Sequence, residues 1–148
     1  MQRVLGFMQA SRSGHRNSQA GRDAAQQAKA ANAKRVLIVE DDLDAVHAFE
    51  ALLVDMGHIV ECAINGYVAL DVARRFRPDV IFLDLALPGL SGYDVCSRLK
   101  SDSELAQTRV IAVTAHGHDD ARVRALAVGC EMHLLKPVPP SVIERVLG

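Results

Sequence analysis

The sequence predicts an α/β fold, a doubly wound sheet of five parallel strands with five helices. Two observations carry the prediction. From residue 35 onward, short apolar runs alternate with longer amphipathic stretches, and three of the runs are continuous and rich in β-branched residues, as parallel strands covered on both faces require. The second is size: 148 residues, 49% hydrophobic and 24% charged, suit one domain with a core large enough to fold without staples.

The elements follow in order. Residues 36–39 form the first strand. Leu43, Val46, Phe49, Leu52, Leu53 and Met56 then recur at helical spacing, so a helix fills 43–56, and Gly57 supplies a left-handed stop. The second strand is 58–62. A helix over 66–76 turns Leu70, Ala73 and Phe76 inward, with Pro78 beyond its end. The third strand, 80–83, leads to a helix at 92–100, and the fourth, 110–113, to one at 119–128 that Gly129 stops. The fifth strand, 132–135, precedes a short helix at 141–147. Right-handed crossovers joining five such units give a doubly wound sheet, for which the flavodoxin-like order 2-1-3-4-5 is the economical choice. That order is an inference, because periodicity does not reveal it.

Residues 1–34 are of different character. They carry six Lys/Arg against only Asp23, whereas residues 35–148 carry eleven against seventeen acids. Ser, Gly, Gln, Ala and Arg predominate after Met8, too few apolar groups to offset chain entropy, so this basic extension is expected to be disordered or partly helical. It reads as a linker or solvated tail; nucleic-acid, membrane-surface or targeting roles are the alternatives, with neither a dense basic cluster nor interleaved aromatics to favour them. No apolar stretch approaches the ~18 residues of a membrane span, so a cytoplasmic protein without membrane or direct nucleic-acid contact is expected. Cys62, Cys96 and Cys130 match no CxxC spacing and read as structural thiols in a reducing compartment, their equal separations as coincidence.

Open parallel sheets place functional groups at the carboxyl ends of the strands. Here those ends are Glu40-Asp41-Asp42 on strand 1, Asp84 on strand 3, Thr114 on strand 4 and Lys136 on strand 5. In the 2-1-3-4-5 order they converge on one crevice. Carboxylates held close repel and raise one another's pKa unless a cation neutralises them. Oxygen donors without His or Cys favour Mg²⁺ or Mn²⁺ over zinc, and Mg²⁺ is completed by phosphate oxygens that Lys136 and Thr114 would also meet.

The segments VLIVEDD, FLDLALPGLSG, IAVTA and LLKPV, in this order and with these separations, resemble the receiver domain of two-component response regulators over residues 35–148. The resemblance implies that Asp84 is the phospho-accepting aspartate and Glu40 and Asp41 the acidic pair. With Asp84 and the backbone carbonyl of Ala86 they would hold Mg²⁺. Thr114 becomes the switch hydroxyl and Lys136 the phosphate-pairing lysine, its bond to Pro137 usually cis in the family. A histidine kinase or histidine phosphotransfer protein would supply the phosphoryl group. The surface around the fourth helix, fifth strand and fifth helix would then change and inform a downstream target. Such a protein signals and is not classed as an enzyme.

His133 stands at the strand-5 switch position where many receivers carry Tyr or Phe. Receivers resembling those of hybrid histidine kinases often have His there; a histidine simply packed on the sheet edge is the plainer reading. His116 and His118 read as residues of a loop before a helix, and Asp42 as a helix N-terminal residue. The short flanks leave no expected room for an output domain. Two rivals stand beside this reading. A docking module that takes no phosphoryl group is one; a Mg²⁺-dependent phosphohydrolase of the haloacid-dehalogenase type is the other, which lacks here the second Asp that Ala86 replaces.

Overall fold

The computed structural model describes residues 19–28 and 30–148. The chain divides into two units, the first ending at Ala33 and the second comprising Lys34–Gly148. In the first, residues 19–28 and 30–31 are helical, a sixth helix beside the five expected ones; the expectation for residues 1–18 lies outside the described residues.

The second unit is a three-layer α/β sandwich. Its parallel strands are β1 (Arg35–Val39), β2 (Ile59–Ala63), β3 (Val80–Leu83), β4 (Arg109–Thr114) and β5 (Met132–Leu135), in the order β2-β1-β3-β4-β5. The intervening helices are α1 (Leu43–Asp55), α2 (Gly66–Phe76), α3 (Gly92–Ser101), α4 (Asp119–Ala127) and α5 (Pro140–Leu147). Alternation along β1 explains the layers: Leu37 and Val39 pack with Leu70, Phe76 and Leu99 of α2 and α3, while Val36 and Ile38 pack with Leu53 of α1 and Ile143 of α5. Phe82 continues the second cluster, its ring edge-on to Phe49 at 5.0 Å between centroids. Every residue of β3 is buried, each large side chain contributing about 1.5–3 kcal/mol, so this strand is fixed in depth and direction.

Three details differ from the sequence expectation. The second strand starts at Ile59, because the His58 N–H bonds the Leu53 carbonyl and closes the end of α1. Leu43, read as part of the apolar stripe, is 58% exposed, since it occupies the first helical position, past the strand ends. Helix α2 ends through Arg77, which takes the left-handed conformation at φ 55° and returns its N–H to the Ala73 carbonyl. Gly57 and Gly129 do take the positive φ that the stop signals demand. Among the described residues no helix is long and apolar enough to cross a membrane.

Candidate functional site

The sheet register builds the site. Val39 and Leu83 are the last paired residues of β1 and β3, and the Asp84 N–H donates to the Val39 carbonyl at 3.0 Å, so Glu40 and Asp84 emerge side by side. On the other flank Thr114 pairs with Leu135, and the Lys136 N–H donates to the Thr114 carbonyl at 2.9 Å. Lys136 thus returns towards the sheet centre from the strand beyond β4.

The side chains meet there. Lys136 Nζ donates to Asp84 Oδ2 at 3.0 Å and also to Glu40 Oε2. Asp84 Oδ1 accepts the Ala86 N–H at 2.9 Å, and Glu40 Oε1 accepts the Asp42 N–H at 3.2 Å. Asp84 is 8% and Glu40 7% exposed, whereas Asp41 faces solvent. One carboxylate oxygen from each of Glu40, Asp41 and Asp84 lies within 4.8 Å of the others. Three hard oxygen donors at that spacing, with no nitrogen or sulfur among them, fit a Mg²⁺-class cation.

The electrostatics are those of crowded acids. Burial raises the pKa of Glu40 above the ordinary carboxyl value, and the neighbouring Asp84 raises it further. Burial also works against ionised Asp84, but its bonds from Glu40, the Ala86 N–H and Lys136 outweigh it, and its pKa lies below the ordinary value. Lys136 shows the complement: despite burial, the two carboxylates hold its pKa up. Asp84 is therefore the more acidic of the two, and the Lys136 ammonium bonds to both.

The remaining residues divide. Thr114 is buried at 2% and its Oγ1 accepts the His116 N–H at 3.3 Å. Ala86 is exposed, next to the turn that continues to α3. Asp42 is no part of the cluster: its Oδ1 accepts from the N–H groups of Asp44 and Ala45 and caps α1. His133 is bonded to none of the site groups. It lies in a cleft with His118, Arg122, Leu126 and Leu135, its Nε2 buried without a hydrogen-bond partner among the described residues, and burial with the nearby Arg122 charge lowers its pKa. The peptide bond between Lys136 and Pro137 is cis. Beside Glu40, Asp84 and Lys136 opens a largely apolar cavity of about 560 Å³, lined by Phe49, Leu52, Phe82, Val113 and Ile143.

One contributor was not visible in the sequence. A Cβ on Gly92 would stand 2.5 Å from the Asp84 carbonyl oxygen and 2.6 Å from Leu85 Cα, so the start of α3 abuts the backbone that carries Asp84. Only the run Ser91-Gly92 before an amphipathic helix hinted at it.

Residues 36–147 match the family model of the response regulator receiver domain. The chain belongs to that family. This receiver is 40% identical over 114 residues to the polar-differentiation response regulator DivK of Brucella anthropi, spanning 76% of this chain and 93% of that protein. Among solved structures, the signal receiver domain of a DNA-binding response regulator from Colwellia psychrerythraea 34H superposes with a TM-score of 0.72 at 31% identity, covering 76% of this chain and 94% of that chain. The receiver domain of sensor histidine kinase PA1611 from Pseudomonas aeruginosa PAO1, solved with a magnesium ion coordinated in its active-site cleft, also gives 0.72, at 30% identity and with 78% and 94% covered.

Proposed function

We propose that this receiver takes a phosphoryl group from a phosphohistidine of a histidine kinase or histidine phosphotransfer protein onto Asp84. The observation that carries the reading is the placement of Asp84: a buried carboxylate kept ionised, with Lys136 Nζ 3.0 Å from Oδ2. In the transfer, the P–N bond of the donor breaks, a carboxylate oxygen of Asp84 forms the new P–O bond, and the imidazole leaves to regain a proton from solvent. The chain positions and neutralises. Lys136 is already directed at Asp84 and needs only a small shift to reach an oxygen of the incoming group, while the Thr114 hydroxyl can exchange its bond with the His116 N–H for one to the same group.

Glu40, Asp41, Asp84 and the Ala86 carbonyl are the residues that would hold Mg²⁺, or Mn²⁺ in its place. When bound, the cation supplies charge neutralisation for the phosphoryl oxygens against three acids that otherwise repel them. Phosphorylation then shifts a two-state equilibrium at the surface formed by α4, β5 and α5, on which His133 lies, and a downstream protein reads it. Residues 1–34 act as an extension to the receiver at 35–148, and the setting is cytoplasmic.

Phosphoramidate, a small P–N donor, tests this with Mg²⁺ present. The expected product is a phosphorylated chain that hydroxylamine strips, as it does an acyl phosphate. A chain that takes up no phosphate contradicts the reading and leaves a docking module; a hydroxylamine-resistant phosphate places the acceptor elsewhere.

A further inference from the structure

Two of the three cysteines meet in space. Cys96, on α3, and Cys130, in the turn between α4 and β5, are 34 residues apart, and their Sγ atoms lie 3.4 Å from each other. Both are buried, at 0% and 4% exposure. Cys62 belongs to β2, at the opposite edge of the sheet from β5, so the equal spacing of the three cysteines has a structural counterpart for one pair only.

We propose that Cys96 and Cys130 form a redox-active dithiol, a modification site that a peroxide-class oxidant converts to an intramolecular disulfide. The sulfurs need to close by about 1.4 Å to reach bonding distance. The polarity of the pair assigns the roles. Cys130 donates to Cys96 Sγ, and with Lys100 nearby this holds the Cys96 thiol below the usual range, whereas Cys130 is pushed up. Cys96 is therefore the attacking thiolate: its S–O bond forms as the peroxide O–O bond breaks, and the departing hydroxide leaves as water with the thiol proton. Cys130 then attacks the sulfenic sulfur, the S–S bond forms, the S–O bond breaks, and the Cys130 proton leaves in a second water. The thiols lose two electrons and one peroxide gains them.

Access comes through the turn. Among the described residues two backbone bonds, Gly129 N–H to Leu126 and Cys130 N–H to Ala125, hold residues 129 and 130 to the end of α4, Cys96 Sγ meets the Val128 carbonyl at 3.5 Å, and Ala125 is the single buried residue of that helix. Lifting this turn opens the pair without disturbing β1, β3 or β4. Once formed, the bond ties α3 to the turn that leads into β5, enclosing β4 and α4 in one covalent loop.

The experiment uses the full chain as Cys62→Ser, where the pair is the entire thiol content. Hydrogen peroxide should take the denatured thiol count from two to zero in a monomer, with a mass loss of about 2 Da that dithiothreitol reverses. The oxidised monomer should melt at a higher temperature than the reduced one. Two remaining thiols, a disulfide-linked dimer or gain of oxygen atoms in place of the loss would overturn the proposal. Wild type supplies the same reading independently, as a fall from three thiols to one with Cys62 still free. None of these readouts depends on Asp84 or on phosphorylation.

Discussion

Lys136 Nζ lies 3.0 Å from Asp84 Oδ2 across 52 residues of sequence and contacts Glu40 as well, so a single ammonium holds two nearly buried carboxylates together. The ammonium side chain is 32% exposed, and its bonds to the two carboxylates outweigh the cost of its partial burial. Removing it leaves Glu40 and Asp84 facing each other. Lys136→Met is therefore expected to cost about 1–3 kcal/mol in urea unfolding. Asp84→Asn, which removes one of the repelling charges and keeps the Lys136–Glu40 pair, should be neutral or stabilising. Equal losses in the two variants would mean that the pairing is not what the ammonium provides.

Asp41 separates binding from folding. It is exposed, and its carboxylate oxygen completes the three-oxygen cluster without burial. Asp41→Asn should change stability by no more than about 0.5 kcal/mol while weakening Mn²⁺ binding, followed by electron paramagnetic resonance, roughly tenfold or more. Unchanged Mn²⁺ affinity would remove Asp41 from the ligand set.

Gly92 is expected to be intolerant of any side chain. Its Cβ would collide with the Asp84 carbonyl and Leu85 Cα, backbone atoms that cannot rotate away. Gly92→Ala should cost about 1–3 kcal/mol and lower phosphoryl uptake through displacement of Asp84. Gly66→Ala, whose Cβ would meet Val95 Cγ2 at 2.7 Å, should destabilise without altering Mn²⁺ affinity. A Gly92→Ala protein with full uptake would show that α3 does not position the aspartate.

Stability should fall as the medium is acidified below the unfolded histidine value of about 6.5. His58 Nδ1 accepts the Lys34 N–H at 3.0 Å, and burial with the nearby Lys34 charge lowers its folded pKa; His133 is lowered as well. Between the folded and unfolded values the unfolded chain binds more protons, so stability is fully present above the unfolded pKa and declines as pH drops through that window. His58→Asn, which retains an acceptor but cannot titrate, should flatten the slope measured by urea unfolding between pH 7 and 5. A slope unchanged in that variant would assign the dependence elsewhere.

Most of the site was legible because each residue follows an apolar run: Val80 to Leu83 point to Asp84, and the runs before Glu40, Thr114 and Lys136 do the same. Strand ends in a parallel sheet lie along one edge, so motif order translates directly into proximity. What was not legible depends on contacts between distant elements. The meeting of Cys96 and Cys130 and the approach of Gly92 to Asp84 arise from how α3 docks, which no local periodicity encodes. Arg77 in a left-handed conformation contradicts its residue type, and the guanidinium bonds to Glu104 that accompany it come from a later loop. The one-residue displacement of β2 has the same origin, in the bonds of His58 to Leu53 and Lys34.

Intact mass after treatment with acetyl phosphate and Mg²⁺ decides whether Asp84 is the phosphoryl acceptor. Wild type should gain a single adduct of about 80 Da that does not form when a chelator is present from the start, and Asp84→Asn should gain none. Equal labelling of wild type and Asp84→Asn, or an unlabelled wild type, would show that Asp84 is not the acceptor.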